Sequence, residues 1–273
     1  MATLKLQTRL KAVKSLHSIL SALQVVTSVQ MKKVKQKHLM LQDHLQSAEE
    51  VLQGRIPAKS FKNKVLVVVT SNRGLCGSFI SNIVTKVSSY LKESPETKIA
   101  AIGKRGADRL KKKYPPLFIE TDIIEKPDFD SCSKILDRLL EQDAEIVIAV
   151  NTYKSTVVQV PKLYKLYPIP EELEGRKTAK STDYIFEPSS PELLETLFKH
   201  YIKAKFYHLL VNSQMGELAA RLMVLKGAVD NSKELITELT MKINKERQAS
   251  ITEDLSEISG SAEALAKGEF ENE

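Results

Sequence analysis

Apolar residues along the first fifty positions recur in steps of three and four, the spacing that draws one hydrophobic stripe along an α-helix. From about Leu4 to Gln53 the chain has neither Pro nor Gly, and the run stops at Gly54 with Pro57 beyond, the punctuation of a helix C-terminus. One helix of about 50 residues is predicted, ~75 Å long at 1.5 Å per residue. Its stripe runs through Val13, Leu16, Leu20 and Leu23, lapses at Thr27 and Gln30, and resumes at Val34, Leu41, Leu45, Ala48 and Leu52. That is a seam with a wet patch in its middle.

The far end repeats the pattern. From Pro191 to about Lys267 no further Pro occurs, and Leu218, Leu222, Leu225, Val229, Ser232, Ile236, Leu239 and Ile243 follow steps of four and three. After an eight-residue step, Ile251, Leu255, Ile258, Ala262 and Leu265 continue the rhythm; the extra residue relaxes a left-handed supercoil locally. A helix of ~70 residues is far beyond the globular mean of ~11 to 12, and it needs another long helix to cover its stripe. The N-terminal helix, lying antiparallel, meets that need within the chain; a second copy of the chain is the alternative.

Between these ends the period switches to short β-branched runs separated by amphipathic segments. Strands are predicted at 65–70, 98–102, 117–123 and 145–151, with helices at 79–92, 104–113 and 130–141. That alternation implies a largely parallel sheet with helices on both faces. Residues 156–168 and 181–187 add extended stretches around a polar loop, a sheet edge with a surface excursion. The fold class is α/β, with two long terminal helices in an antiparallel coiled coil around a central domain. The boundaries fall at 1–56, 57–190 and 191–273.

Charge modifies this picture. Lys and Arg total 41 against 34 Asp and Glu, a net +7, but residues 1–42 hold Lys5, Arg9, Lys11, Lys14, Lys32, Lys33, Lys35 and Lys37 and no acid, whereas Glu253 onward is acidic. A basic end implies nucleic acid, a membrane surface or an acidic protein. Nucleic acid is disfavoured, since residues 1–42 hold no aromatic for base stacking. No uninterrupted apolar run reaches the ~18 to 20 residues that cross a bilayer, so no direct lipid insertion is expected. Two cysteines, Cys76 and Cys132, and five dispersed histidines offer no metal-ligand spacing.

The candidate chemistry lies in "NRGLCGSF", where a strand breaks into a glycine loop before a helix. Arg73, Gly74, Leu75, Cys76 and Gly77 make that loop. Dinucleotide sites want G-x-G-x-x-G and phosphate loops want a Lys-Ser/Thr at the helix start, and neither is present. Cys76 near a helix N-terminus would be an activated thiol, but no His base accompanies it. The expectation is no catalytic site, no cofactor and no metal. The alternative is an α/β nucleotide-binding enzyme with helical dimerisation arms.

Four segments, "RLKAVKSLHSILSAL" (9–23), "SNRGLCGSF" (71–79), "YIFEPS" (184–189) and "GELAARLMVLKGAVDNSKELITELTMKINKERQASITEDLSEISGSAEAL" (216–265), resemble the γ subunits of rotary F-type ATP synthases, in the family's order. The resemblance implies a central stalk rotating inside a ring of α and β subunits, with a Rossmann-like head that binds no nucleotide and rests on the ε subunit and the membrane c-ring. It couples proton or sodium flow to ATP synthesis or hydrolysis. It also implies a peripheral place on the cytoplasmic face of a bacterial inner membrane. Arg247, Gln248, Thr252 and Glu253 match the family's polar catch with α and β loops. Lys32, Lys33 and Lys35 form a basic collar for the acidic β-subunit loops, and Leu255, Ile258, Ala262 and Leu265 the upper shaft. The chain departs from the family at Ser18, Ser21 and Gln24, where lysines are usual, at Leu23 for Met, at Asn72 for Asp and at Ile80 for Asn. An acidic tail extends past Leu265.

Overall fold

The computed structural model describes residues 2–52, 61, 63–168 and 191–270. In chain order the elements are α1 (Ala2–Leu52), β1 (Asn63–Val69), α2 (Phe79–Glu93), β2 (Lys98–Ile102), α3 (Lys104–Lys113), β3 (Phe118–Asp122), α4 (Phe129–Leu140), β4 (Ala144–Tyr153), β5 (Gln159–Tyr167) and α5 (Pro191–Phe270). The second expected extended stretch, 181–187, and the "YIFEPS" segment lie outside the described residues.

The sheet has five strands in the order β3-β2-β1-β4-β5. β1 pairs in parallel with β2 and β4, and β2 with β3, while β5 runs antiparallel along β4 as the edge strand. The continuous apolar run of β1 reflects its position, because a central parallel strand is covered on both faces. Its side chains alternate between two cores. Val65, Val67 and Val69 face Leu136 and Leu139 of α4 and Phe206 and Leu210 of α5. Leu66 and Val68 face Ile83, Val87 and Leu91 of α2 and Leu110 of α3.

Helix starts explain the register of the crossovers. α4 begins at Asp128, whose carboxylate accepts from the Ser131 N–H at 2.9 Å, an N-cap beside the positive helix end. α3 begins after Gly103, at φ 104, where a Cβ would lie 2.2 Å from the Thr70 carbonyl. Only glycine fits there.

The chain divides into two compact units, one formed by Val26–Val224 and the other by Met1–Val25 with Leu225–Glu273. Within the first, α1 and α5 are antiparallel: His38 meets His208, while Glu49 meets Lys205. Within the second, His17 Nδ1 and Ser232 Oγ are 2.8 Å apart, and Leu225 and Leu239 are buried. Every α5 seam position expected from Leu218 to Ile243 is buried or half-buried.

The α1 seam differs in phase. Leu16 and Leu23 are 51% and 43% exposed, and Gln30 is also exposed, whereas His17, Gln24 and Met31 are half-buried in their places. The covered stripe runs through 6, 10, 13, 17, 20, 24, 27, 31, 34, 38, 41, 45, 48 and 52, steps of four and three without a break. Apolar identity pointed to the leucines. The coiled-coil period selects their neighbours, and the polar ones find partners, as His17 does in Ser232.

The leucines left outside, with Ile19, Val25, Val26 and Val29, form an exposed apolar flank on α1. In one 18-residue window α1 has a mean hydropathy of 1.2, long and apolar enough to cross a membrane by length and composition alone. Counting uninterrupted apolar runs passes over this window, because serines and glutamines punctuate it.

Candidate functional site

The glycine loop after β1 is fixed by the elements around it. Leu75 and Gly77 hold positive φ, 61 and 55, and a Cβ on Gly77 would lie 3.4 Å from Val224 of α5. Arg221 Nε donates to the Gly74 carbonyl at 3.4 Å. Asn151 at the end of β4 donates to the Phe79 carbonyl at 2.8 Å, holding the first turn of α2, whose Phe79 and Ile80 are buried. The Phe79 N–H at the start of α2 already donates to the Cys76 carbonyl at 3.1 Å, so it is not open to a phosphate. Cys76 is buried and its Sγ lies 3.6 Å from Ser71 Oγ, a hydroxyl and not a histidine base.

The loop's leading edge opens on a cavity of about 420 Å³. Thr70, Asn72 and Arg73 line one wall, residues 124–127 after β3 a second, Gln30, Lys33, Val34 and Lys37 of α1 a third, and Gln214, Glu217, Leu218 and Arg221 of α5 a fourth. Asn72 joins the first two walls, donating to the Ile124 carbonyl at 2.8 Å and accepting from the Lys104 N–H at 3.0 Å. An aspartate there could cap α3 equally well but could not donate to a carbonyl. Arg73 pairs with Glu125 at 3.2 Å, and Arg221 with Glu217, whose carboxyl burial pushes upward while that guanidinium pulls it down. Lys37 Nζ donates to the Pro127 carbonyl at 2.8 Å and sits 4.8 Å above the Tyr207 ring. Two separately predicted groups, the basic collar and the glycine loop, are therefore brought together through Lys33 and Arg73; Lys32 and Lys35 are exposed and do not line the cavity.

The remaining candidates lie on α5 beyond the seam. Every side chain from Asn244 to Ser261 is exposed, including Arg247, Gln248, Thr252, Glu253, Leu255 and Ile258. The side chains of Ala262 and Leu265 lie outside the described residues. Among the described residues nothing packs against this row of apolar and polar groups.

The sequence profile of the ATP synthase family matches residues 3–265. The ATP synthase gamma chain of Symbiobacterium thermophilum is 32% identical over 280 residues, covering 95% of this chain and 96% of that protein. That of Flavobacterium johnsoniae is 31% identical over 285 residues, covering 97% and 99%. The chain belongs to the ATP synthase gamma-chain family. Among solved structures, a chain of the Euglena gracilis mitochondrial ATP synthase, from its OSCP/F1/c-ring assembly, shares the fold at a TM-score of 0.73 and 17% identity, over 98% of this chain and 96% of that one. A chain of the Tetrahymena thermophila central stalk and c-ring gives 0.61 at 23% identity, over 77% and 99%. The gamma-chain fold expected from the four motifs is the fold observed, and the gamma chain is a rotary-motor subunit of a membrane-associated enzyme.

Sequence reading missed one polar cluster in this gamma-chain fold. His38 of α1 and His208 of α5 stack with centroids 4.6 Å apart and planes 16° from parallel. The Asn212 amide oxygen accepts from the Tyr153 N–H, so its nitrogen faces His38 Nε2 at 3.4 Å, and that ring's proton is assigned to Nδ1. His38 Nδ1 and His208 Nε2 are buried with no hydrogen-bond partner among the described residues. Burial depresses both imidazoles, His208 down to about 4. Beside them, Glu49 accepts from both Lys205 Nζ at 2.7 Å and the Tyr201 hydroxyl at 2.6 Å. The signal available in sequence was the α1 heptad phase, which places His38 in the seam.

Proposed function

We propose that the chain is the axle of a rotary ATP synthase. It turns inside a ring of α and β subunits, rests through its 57–190 head on the ε subunit and the c-ring, and couples proton or sodium flow to ATP synthesis or hydrolysis. The segments 1–56 and 191–273 form the shaft. The chain supplies geometry and no catalytic site, and works as a peripheral protein on the cytoplasmic face of a bacterial inner membrane.

The observation that carries this reading is the 80-residue helix α5 running past its partner into a wholly exposed stretch, Asn244–Ser261, in a chain matched to the family over 3–265. Arg247, Gln248, Thr252 and Glu253 serve as the polar catch on α and β loops, and Leu255, Ile258, Ala262 and Leu265 as the upper shaft in an apolar sleeve. The exposed flank of α1 at Leu16, Ile19 and Leu23 belongs against the same ring, which accounts for a membrane-grade hydropathy in a helix already committed to a partner. Lys32, Lys33 and Lys35 face acidic β-subunit loops. Exposed ion pairs of that kind contribute only ~0 to 1 kcal/mol each, which suits a surface that must slide. Leu75, 56% exposed on a strained backbone, presents the head-domain loop Arg73–Gly77 to its partner. As the axle turns, each catalytic subunit meets a different face, and differential contact shifts its conformational equilibrium and hence its nucleotide affinity.

The test is complementation in a bacterial host whose own γ subunit is deleted. Membranes should yield a complex containing this chain with α, β and ε, and inverted vesicles should acidify on ATP addition. A complex that assembles and pumps while this chain stays in the soluble fraction overturns the reading.

A further inference from the structure

We infer that the cavity between the glycine loop, the 124–127 turn, α1 and α5 is a binding site for a small polyvalent phosphate, with inorganic pyrophosphate as its simplest occupant. Lys33, Lys37, Arg73, Lys126 and Arg221 line the space against two carboxylates, Glu125 and Glu217. Each carboxylate is already engaged by a guanidinium, Glu125 by Arg73 and Glu217 by Arg221. The three ammonium groups form no ion pair among the described residues. Lys37 lines the space while its ammonium donates to the Pro127 carbonyl and lies over the Tyr207 ring, and the Asp128 carboxylate feels its charge without forming an ion pair with it.

Three cations without an ion pair around one concavity repel each other, and the apolar walls at Val34, Ile124 and Leu218 concentrate their field. A monovalent carboxylate would leave two of these charges unmet, whereas pyrophosphate carries about three negative charges near neutral pH and matches the excess. Arg73 donates to Glu125 through Nη2 alone, which leaves its other guanidinium N–H groups for phosphate oxygens. The volume, about 420 Å³, lies within the ~300 to 1,000 Å³ usual for small-molecule sites. Its position fits as well, at the carboxyl ends of β1 and β3, the side of an open parallel sheet where α/β proteins hold ligands. No aromatic residue lines it, so nothing there stacks on a base, and the phosphate groups are what it recognises. This site is separate from the first turn of α2, no residue of which lines it, and it does not depend on the rotary reading.

The experiment uses the full chain and sodium pyrophosphate, by calorimetry and thermal denaturation at an ionic strength held constant with sodium chloride. Expected are one saturable site and a rise in melting temperature of ~2 to 4 °C at high occupancy. Lys33→Gln with Lys126→Gln should weaken binding by about tenfold or more, since each removes a charge-assisted contact. Lys32→Gln with Lys35→Gln, two lysines outside the cavity, should leave it unchanged. Heats no larger than dilution, equal binding by the Lys33/Lys126 variant, or citrate binding as tightly as pyrophosphate would each overturn the assignment, and none of them bears on assembly with α and β.

Discussion

Single residues set two measurable limits on this structure. Gly103 and Gly106 crowd Thr70, with an added Cβ at 2.2 Å from its carbonyl and 2.1 Å from its Cγ2, whereas Gly74 in the same region has open space. Gly103→Ala should therefore cost ~3 kcal/mol or more through backbone clash at positive φ, and Gly74→Ala no more than ~0.5 kcal/mol; urea unfolding midpoints separate the two. The histidine pair makes stability depend on pH. The unfolded His208 binds its proton near 6.5 and the folded one only near 4, so the stabilisation is complete above 6.5 and is lost as pH falls towards 4. At about 1.4 kcal/mol per unit, discounted for partial exposure, the loss is on the order of 2 kcal/mol. His208→Gln should flatten the fall in stability between pH 7.5 and 5.0, and an unchanged slope would remove the pair from the explanation. Of the pair only the seam position of His38 was available in the sequence, through the α1 phase, and the cavity was not, because Lys33, Arg73, Lys126 and Arg221 are each ordinary surface charges until the fold converges them.

At the scale of elements the sequence was informative where one period dominated. β2 and α3 fall where the pattern places them, 98–102 and 104–113, and the other elements of the middle region differ by a few residues at most. The α5 seam was legible because leucines and isoleucines occupy nearly every core position. The α1 seam was legible at Val13 and Leu20 and from Val34 to Leu52, but not at Leu16 and Leu23, where a more apolar neighbouring stripe faces outward and His17 and Gln24 take the covered positions. A helix whose outer face is the greasier one betrays a second partner. The shaft itself can be tested at its core. Leu239 is 2% exposed in the seam of the Leu225–Glu273 segment with α1. Leu239→Pro removes a helical hydrogen bond and costs ~3 kcal/mol, with a further ~2 kcal/mol from the lost burial. Far-ultraviolet circular dichroism should show lost helix, and the variant should fail to assemble into a coupled complex. A fully coupled complex carrying Leu239→Pro would contradict a continuous axle.

For the whole molecule the decisive contrast is between residues that hold the chain together and residues that only meet something else. From Asn244 to Ser261 no side chain is buried, so this stretch contributes no core burial to the isolated chain. A chain ending at Lys245 should therefore melt within ~2 °C of the full-length protein. In the assembled enzyme the same truncation removes Arg247, Gln248, Thr252 and Glu253 and the stretch beyond them, the residues proposed to meet the catalytic ring. ATP-driven acidification of inverted vesicles should fall several-fold while assembly through the head persists. Two results would refute this division of labour: a drop of more than ~5 °C in the free chain, placing α5's end in its own core, or undiminished pumping by the truncated axle. On the proposed reading, stability and torque transmission fall to different segments of one helix, and Leu239, the last buried leucine of the seam among the described residues, stands near the point where the first gives way to the second.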